Sequence, residues 1–364
     1  MNMFWLLLVL LALGSLQAFV FGRFGFKKLS YTREFSKRSV YEGETVELVE
    51  QIVNRKLLPI PWLRVESRIS PDLRFQTAQE EREISEDEQY HKSVFYLGPY
   101  SRVTRRHTIK CLHRGDYQLR TVDATLGDLI NFGRANRQMQ VGAHLLVYPR
   151  LLTDDEMDMP SRKWQGDMVV RRWIMPDPFL VGGMREYRAG DPMRSVHWGA
   201  SARTGRLQVK TYDYTADPRL MVVLNVQMQE HQWGELMKYE QDTIEYGISL
   251  AATLITRALE SGVEAGFACN GQLSIRPEEP VVISPQRAPA QGEVLLGAMA
   301  QLEIKRALNF HTFLEELCAY QDMDILILSA YDSELIEQGV NALRMRGNSV
   351  TLRLIGGGRD EEAV

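Results

Sequence analysis

Apolar positions along this chain follow three rhythms in turn. The first is an unbroken run, Met3–Gly22 (MFWLLLVLLALGSLQAFVFG), which carries no charge. Its length suffices to cross a bilayer as a helix. From Ser39 to about Arg150 the pattern is the two-residue alternation of strands. Val46, Leu48, Glu50 and Ile52 alternate with Glu47, Val49 and Gln51; Leu63–Ile69, Ser93–Tyr96 and Thr104–Leu112 follow. Glu42-Gly43, Pro59, Pro61, Ser70-Pro71, Gly98-Pro99, Arg114-Gly115-Asp116 and Gly127-Asp128 supply turns between them. Several short strands at this spacing predict an immunoglobulin-like β-sandwich. The third rhythm alternates strand with helix. Leu220–Val226 is a continuous apolar run of the kind buried on both faces of a parallel sheet. Lys238–Glu260 repeats apolar residues at helical spacing and ends before Gly262. Val263–Cys269, Asp324–Ser329 and Ser349–Ile355 read as strands; 292–307, 310–320 and 333–346 read as helices. The fold class predicted is therefore α/β plus all-β, with a doubly wound domain at the C-terminal end.

Charge orients the first rhythm. No cation precedes the apolar run, whereas Arg23, Lys27, Lys28, Arg33, Lys37 and Arg38 follow it. A cleaved signal peptide normally carries a basic leading region, so a retained anchor is expected. The positive-inside rule then predicts a single-pass protein of the inner (cytoplasmic) membrane with its C-terminal domains in the cytoplasm. The expected segments are an anchor over 1–22, a basic juxtamembrane segment over 23–38 and the β-sandwich over 39–150. A linker over 151–184, a signature with α/β domain over 185–358 and a tail over 359–364 complete the chain. The net charge of −4 argues against nucleic acid as a partner. Cys111, Cys269 and Cys318 are widely spaced and odd in number, which predicts reduced thiols. His107, Cys111 and His113 have the spacing to project from one face of a strand. A metal site is one reading of them and a half-polar sheet face the other; the second is favoured because spacing supplies no fourth ligand.

Between the two domains lies a stretch of interleaved cations and aromatics, Arg185–Tyr212. It holds Arg185, Arg188, Arg194, Arg203, Arg206 and Lys210 against Glu186 and Asp191, with Tyr187, Trp198 and Tyr212 interleaved. Gly190-Asp191-Pro192 is a turn signal, and Leu207–Tyr212 alternates as a strand does. The string R-x-Y-x-x-G-D-x-x-R-x-x-H-W-x-x-S-A-R-x-G-x-L-x-V-K resembles the signature of the bacterial and archaeal domain of unknown function 58 family. That resemblance implies an N-terminal membrane anchor, a β-rich domain, this signature and a von Willebrand factor A-like domain. It also implies association with a MoxR-type AAA ATPase. The run from Arg114 to Arg134 resembles a turn-strand-turn of the same family, with Asp128–Gly133 as its second turn.

A von Willebrand A-like domain with a working metal site places Asp-x-Ser-x-Ser after its first strand; here Asn225, Gln227 and Gln229 take those places. Uncharged amides are weak ligands for Mg²⁺, so this degenerate metal site is expected to hold no metal, and no cofactor is expected elsewhere. The chain has no phosphate-binding Gly-x-x-x-x-Gly-Lys-[Ser/Thr] loop, no HExxH string and no GxSxG elbow. His197, Ser201 and Asp191 supply the residue types of a catalytic triad, and a hydrolase using the signature is the alternative function. Three readings of Arg185, Tyr187, Gly190, Asp191, Arg194, His197, Trp198, Ser201, Arg203 and Lys210 stand side by side. One is an ion-pair and packing knot, with Asp191 paired to Arg194 or Arg203 and Trp198 filling a seam between domains. The second is a docking surface for a protein partner. The third is a site for an acidic or phosphate-bearing ligand. The overall expectation is a membrane-anchored, non-enzymatic accessory protein that works with a MoxR-type ATPase in assembling or maturing other proteins.

Overall fold

The computed structural model describes residues 3–76, 82–84, 89–128, 133–157, 181–188, 193–212, 219–232, 234 and 236–356. The chain divides into two compact units, 1–150 with 296–301 and 151–295 with 302–364.

The first unit opens with helix α1 (Met3–Phe24). At 1.5 Å per residue its 22 residues span about 33 Å, the thickness of a hydrocarbon core. Phe4, Trp5, Leu7, Leu10, Leu13 and Leu16 are exposed along it, while Phe21 is buried with Tyr31, Ile52 and Leu126. The helix is therefore long and apolar enough to cross a membrane, and its C-terminal part packs into the unit, through Phe21 and through Ala18 against Gly133.

Ten strands follow: β1 (Leu29–Phe35), β2 (Ser39–Tyr41), β3 (Thr45–Asn54), β4 (Ile60–Ile69), β5 (Leu73–Phe75), β6 (Arg82–Ile84), β7 (Gln89–Leu97), β8 (Arg102–Cys111), β9 (Gly115–Gly127) and β10 (Arg134–Tyr148). They form a four-stranded sheet, β1-β3-β8-β5, and a six-stranded sheet, β2-β10-β9-β4-β7-β6. All pairings are antiparallel except β2 with β10. Strand pattern thus begins before Ser39, because β1 lies inside the segment expected to be juxtamembrane. Its Tyr31 and Arg33 point inward despite the surrounding cations. Both sheets contribute to two apolar clusters. One gathers Ile52, Leu63, Phe95 and Val122; the other gathers Leu48, Ile109, Leu119 and Leu145. Glu50 stands between Leu48 and Ile52 on the same face of β3, so a polar layer separates the two. The acidic run Glu80–Glu88 contributes β6 and otherwise lies outside the described residues.

In the second unit β11 (Val181–Glu186) pairs with β12 (Gln208–Tyr212) as a separate ribbon carrying the short helix α2 (Trp198–Thr204). The main sheet has the order β15-β14-β13-β17-β18, built from β13 (Arg219–Leu224), β14 (Glu264–Leu273), β15 (Arg276–Gln286), β17 (Asp324–Ser329) and β18 (Ser349–Leu354); β16 (Leu302–Arg306) also pairs with β14. Strands β14, β13, β17 and β18 are parallel. Helices α3 (Lys238–Glu260), α5 (Phe310–Leu317) and α6 (Glu334–Met345) lie between these strands in the chain, and α4 (Gln291–Gln301), whose residues 296–301 are grouped with the first unit, precedes β16. Met221, Val223, Ile325 and Ile327 pack against Phe313 and Leu314 of α5 and Val340 of α6. The alternate residues of β13 face α3, which comes so close that a Cβ on Gly247 would lie 3.0 Å from Leu224 Cδ1. Helices therefore cover both faces.

Helix 292–307 was expected to be continuous, but it ends at Gln301 and Leu302–Arg306 is a strand. Leu302 and Ile304 alternate with Glu303 and Lys305, a period of two that fits pairing with β14 better than a helix stripe. Strand β15 carries Pro277, Pro280 and Pro285, which an edge strand tolerates and a central one does not. The start of the expected linker is tied to this unit: Leu152 N donates to Thr253 Oγ1 at 2.8 Å, and Arg353 donates to the Met157 carbonyl at 2.6 Å. Residues 158–180 of that linker and the tail lie outside the described residues.

Candidate functional site

The signature folds as a frame that presents side chains outward. Beyond β11, Met193–Ser195 makes one 3-10 turn and Val196 bridges to Val209 of β12; both valines are buried. His197 N donates to the Gln208 carbonyl at 2.8 Å and so pins the start of α2 to the ribbon. The His197 ring caps that helix, its Nδ1 accepting from Ala200 N at 3.0 Å. Ser201 Oγ donates to the His197 carbonyl at 2.9 Å and accepts from Gln208 N at 2.8 Å. Gly205 closes the helix at φ 67, the left-handed conformation a side chain resists. His197 and Ser201 therefore hold backbone, and among the described residues no hydrogen bond joins the two side chains.

What the frame presents is an exposed aromatic side chain in a stretch that also exposes cations. Trp198 is 62% exposed and α2 buries none of its residues. A seven-residue helix held by its caps and backbone needs no apolar face of its own. Met184, Met193 and Leu207 are exposed nearby in sequence, as are Arg188, Arg203 and Arg206; Arg185, Tyr187 and Lys210 are half-buried. Arg206 pairs with Glu186 at 2.8 Å, both largely in solvent. Gly190 and Asp191 lie outside the described residues, and so does the side chain of Arg194.

Asn225 and Gln227, two of the three positions read as a degenerate metal site, take part in a closed carboxamide network at the carboxyl ends of β13 and β17. Asn225 Nδ2 donates to Ser329 Oγ at 3.1 Å. Asn225 Oδ1 accepts from Gln227 N and from Asn270 Nδ2, at 3.0 and 3.3 Å. Gln227 Oε1 accepts from Asn270 Nδ2 and from Phe310 N, at 3.1 and 2.9 Å. An amide oxygen has two lone pairs, and both are used on each oxygen. This donor set does not suit a hard cation, which takes anionic oxygens with free lone pairs. Gln229 is exposed and outside the network.

A constellation that sequence reading missed lies inside the first unit. Glu50 is fully buried and accepts from Tyr31 Oη at 2.9 Å, Ser93 Oγ at 2.9 Å and His107 Nε2 at 3.1 Å. Since a carboxylate only accepts, His107 carries its proton on Nε2. Arg33, equally buried, sets its Nε 3.3 Å from Glu50 and donates to Ser67 Oγ at 2.5 Å and His91 Nδ1 at 3.2 Å. Phe75 stacks on His91 with ring centroids 4.5 Å apart. Burial by itself would raise the Glu50 carboxyl, but the His107 hydrogen bond and the Arg33 charge outweigh it and bring it down to about 2. Glu50, His91 and His107 bring ligand atoms within 4.8 Å of one another, a spacing that would also suit a metal. The Arg33 guanidinium already occupies the cation's place between Glu50 and His91. His107 therefore joins Glu50 rather than Cys111 and His113: Cys111 packs in the second apolar cluster and His113 is exposed. The signal for this layer was present in β3, where Glu50 shares the parity of Val46, Leu48 and Ile52.

Known proteins relate to these elements as follows. A curated relative, the uncharacterized protein YeaD of Bacillus subtilis (strain 168), is 16% identical over 241 residues, 66% of this chain. The aligned region spans 56% of that relative's length. Among solved structures, a non-cellulosomal cohesin from Archaeoglobus fulgidus aligns with 35% of this chain and 94% of its own, at 8% identity and a TM-score of 0.23. The CARDB domain of the PF1109 protein from Pyrococcus furiosus aligns with 32% of this chain and 93% of its own, at 15% identity and a TM-score of 0.19. Residues 183–280 match a family model that begins two residues before Arg185 and takes in the ribbon, α2, β13, α3 and β14. That model is described as protein of unknown function DUF58, and over that span this chain is similar to it.

Proposed function

We propose that this chain is a membrane-anchored, non-enzymatic accessory protein whose signature ribbon docks a protein partner. The observation that carries the reading is the exposure of Trp198, Arg188 and Arg203 within the signature, on a frame whose His197 and Ser201 hold backbone. Tryptophan and arginine are the side chains most enriched among binding hot spots. The partner class follows from the family resemblance and is a MoxR-type AAA ATPase, with assembly or maturation of other proteins as the shared task. In this reading the two-sheet unit is an immunoglobulin-like sandwich and the second unit a von Willebrand A-like domain. Helix α1 spans the inner membrane, and Arg23, Lys27 and Lys28 after its apolar run keep both units in the cytoplasm.

The test uses the full chain in detergent micelles. Trp198→Ala and Arg203→Ala should abolish capture of a purified MoxR-type ATPase while leaving hydrogen-exchange protection of β12 within about 0.5 kcal/mol of wild type. Capture at the wild-type level by both variants would overturn the proposal. Early unfolding of both would return the stretch to a packing role.

A further inference from the structure

Four segments far apart in the chain meet where α1 ends in the first unit. Lys56 Nζ donates to the Phe24 carbonyl at 2.9 Å and also to the Gly25 carbonyl. The loop after β3 thus caps the helix and offsets the negative end of its dipole. Arg55 N donates to the Lys28 carbonyl at 3.0 Å and Tyr100 N to the Lys56 carbonyl at 3.1 Å, which adds the turn before β1 and the β7–β8 loop. Buried Asn54 braces both loops, its Nδ2 donating to the Leu58 and Gly98 carbonyls at 3.0 and 2.8 Å. The β9–β10 hairpin completes the group, with Leu126 against Gly25 and Gly133 against Ala18.

Charge at this end has one sign. Residues 20–30, 53–62, 96–106 and 125–140 contain a single carboxylate, Asp128, which is buried and accepts from Gly133 N at 2.9 Å. Residues 129–132 of the last segment lie outside the described residues and carry no charge in the sequence. Lys27, Lys28, Arg55, Arg102 and Arg137 are exposed, and among the described residues none of them has an ion pair. The exposed carboxylates nearest along β9 and β1 are Asp123 and Glu34, four and five residues in from Gly127 and Leu29. Strand β6, within the acidic run, pairs with Gln89–His91 at the far end of β7, about 20 Å from Leu97. Beside the cations, Phe24, Leu57 and Tyr100 are exposed, the last two at 73% and 72%. Lys28 at φ 53 and Tyr100 at φ 48 hold the left-handed conformation that side chains resist, so these turns are fixed by their hydrogen bonds.

From this we infer that this end of the first unit is a contact surface for anionic phospholipid headgroups in the leaflet that α1 enters. The inference rests on the membrane-anchor reading and adds contacts from residues 55–57 and 100–102, remote from the anchor in sequence. Arginine forks and lysine ammonium groups bind phosphate oxygens, and aromatic side chains favour the headgroup level. Ala18 stands about 6 Å before Gly22 along the helix, so its contact with Gly133 brings the β9–β10 hairpin alongside the apolar run. The unit therefore abuts the headgroup layer instead of hanging below it on a free linker. A helix leaving the unit among these side chains brings lipid within their reach.

The experiment is hydrogen exchange of the full chain in lipid nanodiscs, made of phosphatidylcholine alone or of an equal mixture with phosphatidylglycerol. Exchange of Arg55–Leu57 and Tyr100–Arg102 should be at least about fivefold slower in the mixed discs, the factor that one cation near an anionic surface contributes. Strand β13 should exchange alike in both. Arg55→Gln with Arg102→Gln should abolish the slowing while protection of β9 is kept. Glycerol phosphate added to the phosphatidylcholine discs should leave exchange unchanged; slowing by it would mark a site for soluble anions and overturn the lipid assignment. Equal exchange in the two kinds of disc, with the chain still disc-bound, would overturn this inference alone, as would full slowing in the double variant. A chain that stays in neither kind of disc would overturn the membrane-anchor reading and this inference with it.

Discussion

Replacing Glu50 by glutamine tests the polar layer of the first unit. The side chain keeps its shape but loses the charge that faces Arg33 across 3.3 Å, with both groups out of solvent. Breaking a buried pair by removing one partner costs about 3–5 kcal/mol, because the remaining charge stays buried without compensation. The carboxyl gives an independent figure: holding it at about 2 against an ordinary 4.5 corresponds to about 3 kcal/mol in favour of the folded state. The sign follows from the direction. The folded carboxyl is the stronger acid, so its contribution is complete above about pH 4.5 and is lost as pH falls from there through about 2. Hydrogen exchange reads this locally in β3 and β8, whatever the second unit does. At pH 7 the Glu50→Gln variant should lose roughly two to four decades of protection in Thr45–Asn54 and Arg102–Cys111, at about 1.4 kcal/mol per decade. Corrected for intrinsic rate, wild-type protection should fall between pH 4.5 and 2 while the variant changes less over that window. Removing both charges, Arg33→Met with Glu50→Gln, should recover most of the loss, since an uncharged core of similar volume is often no less stable. A loss under about 1 kcal/mol in the single variant, or a double variant less stable than the single, would refute the reasoning.

Further outcomes are expected in the signature and in the apolar helix. His197→Ala removes the acceptor that caps α2 and should cost about 1 kcal/mol of local stability; Ser201→Ala leaves Gln208 N–H without its 2.8 Å partner and should cost about as much. A hydrolase reading instead requires Ser201→Ala to abolish turnover of an ester panel while protection in β12 is kept, and that result would displace the docking proposal. In the apolar helix, Leu10→Arg should cost about 3 kcal/mol of insertion and move the chain out of the membrane fraction. A reporter fused after Val364 should be active in the cytoplasm, and activity only outside it would reverse the orientation.

Sequence alone determined the elements whose signals are local. The helix Lys238–Glu260 appears with the bounds its apolar spacing and Gly262 imply, and Gly262 takes φ +81. Asp324–Ser329 is likewise the strand its continuous apolar run predicts. A helix stripe or a buried strand is written in consecutive residues, so one window contains the whole signal. Strand β12 was legible too, because Leu207–Tyr212 alternates, but its pairing with β11, which begins inside the expected linker, was not.

Tertiary structure decided the rest, for reasons that lie far apart in the chain. Strand β15 exists because its prolines fall on a sheet edge, a position no local window reveals. Glu50 is a stable buried carboxylate only because β1 brings Arg33, β7 brings Ser93 and β8 brings His107. Those partners stand between 17 and 57 residues away, and alternation in β3 could show that Glu50 points inward but not what meets it there. Trp198 posed the opposite problem. Its size favours burial, yet the backbone bonds of His197 and Ser201 fix α2 against β12 so that the indole faces water. Whether a large apolar side chain becomes core or contact surface depends on what covers it, and only the folded chain decides that.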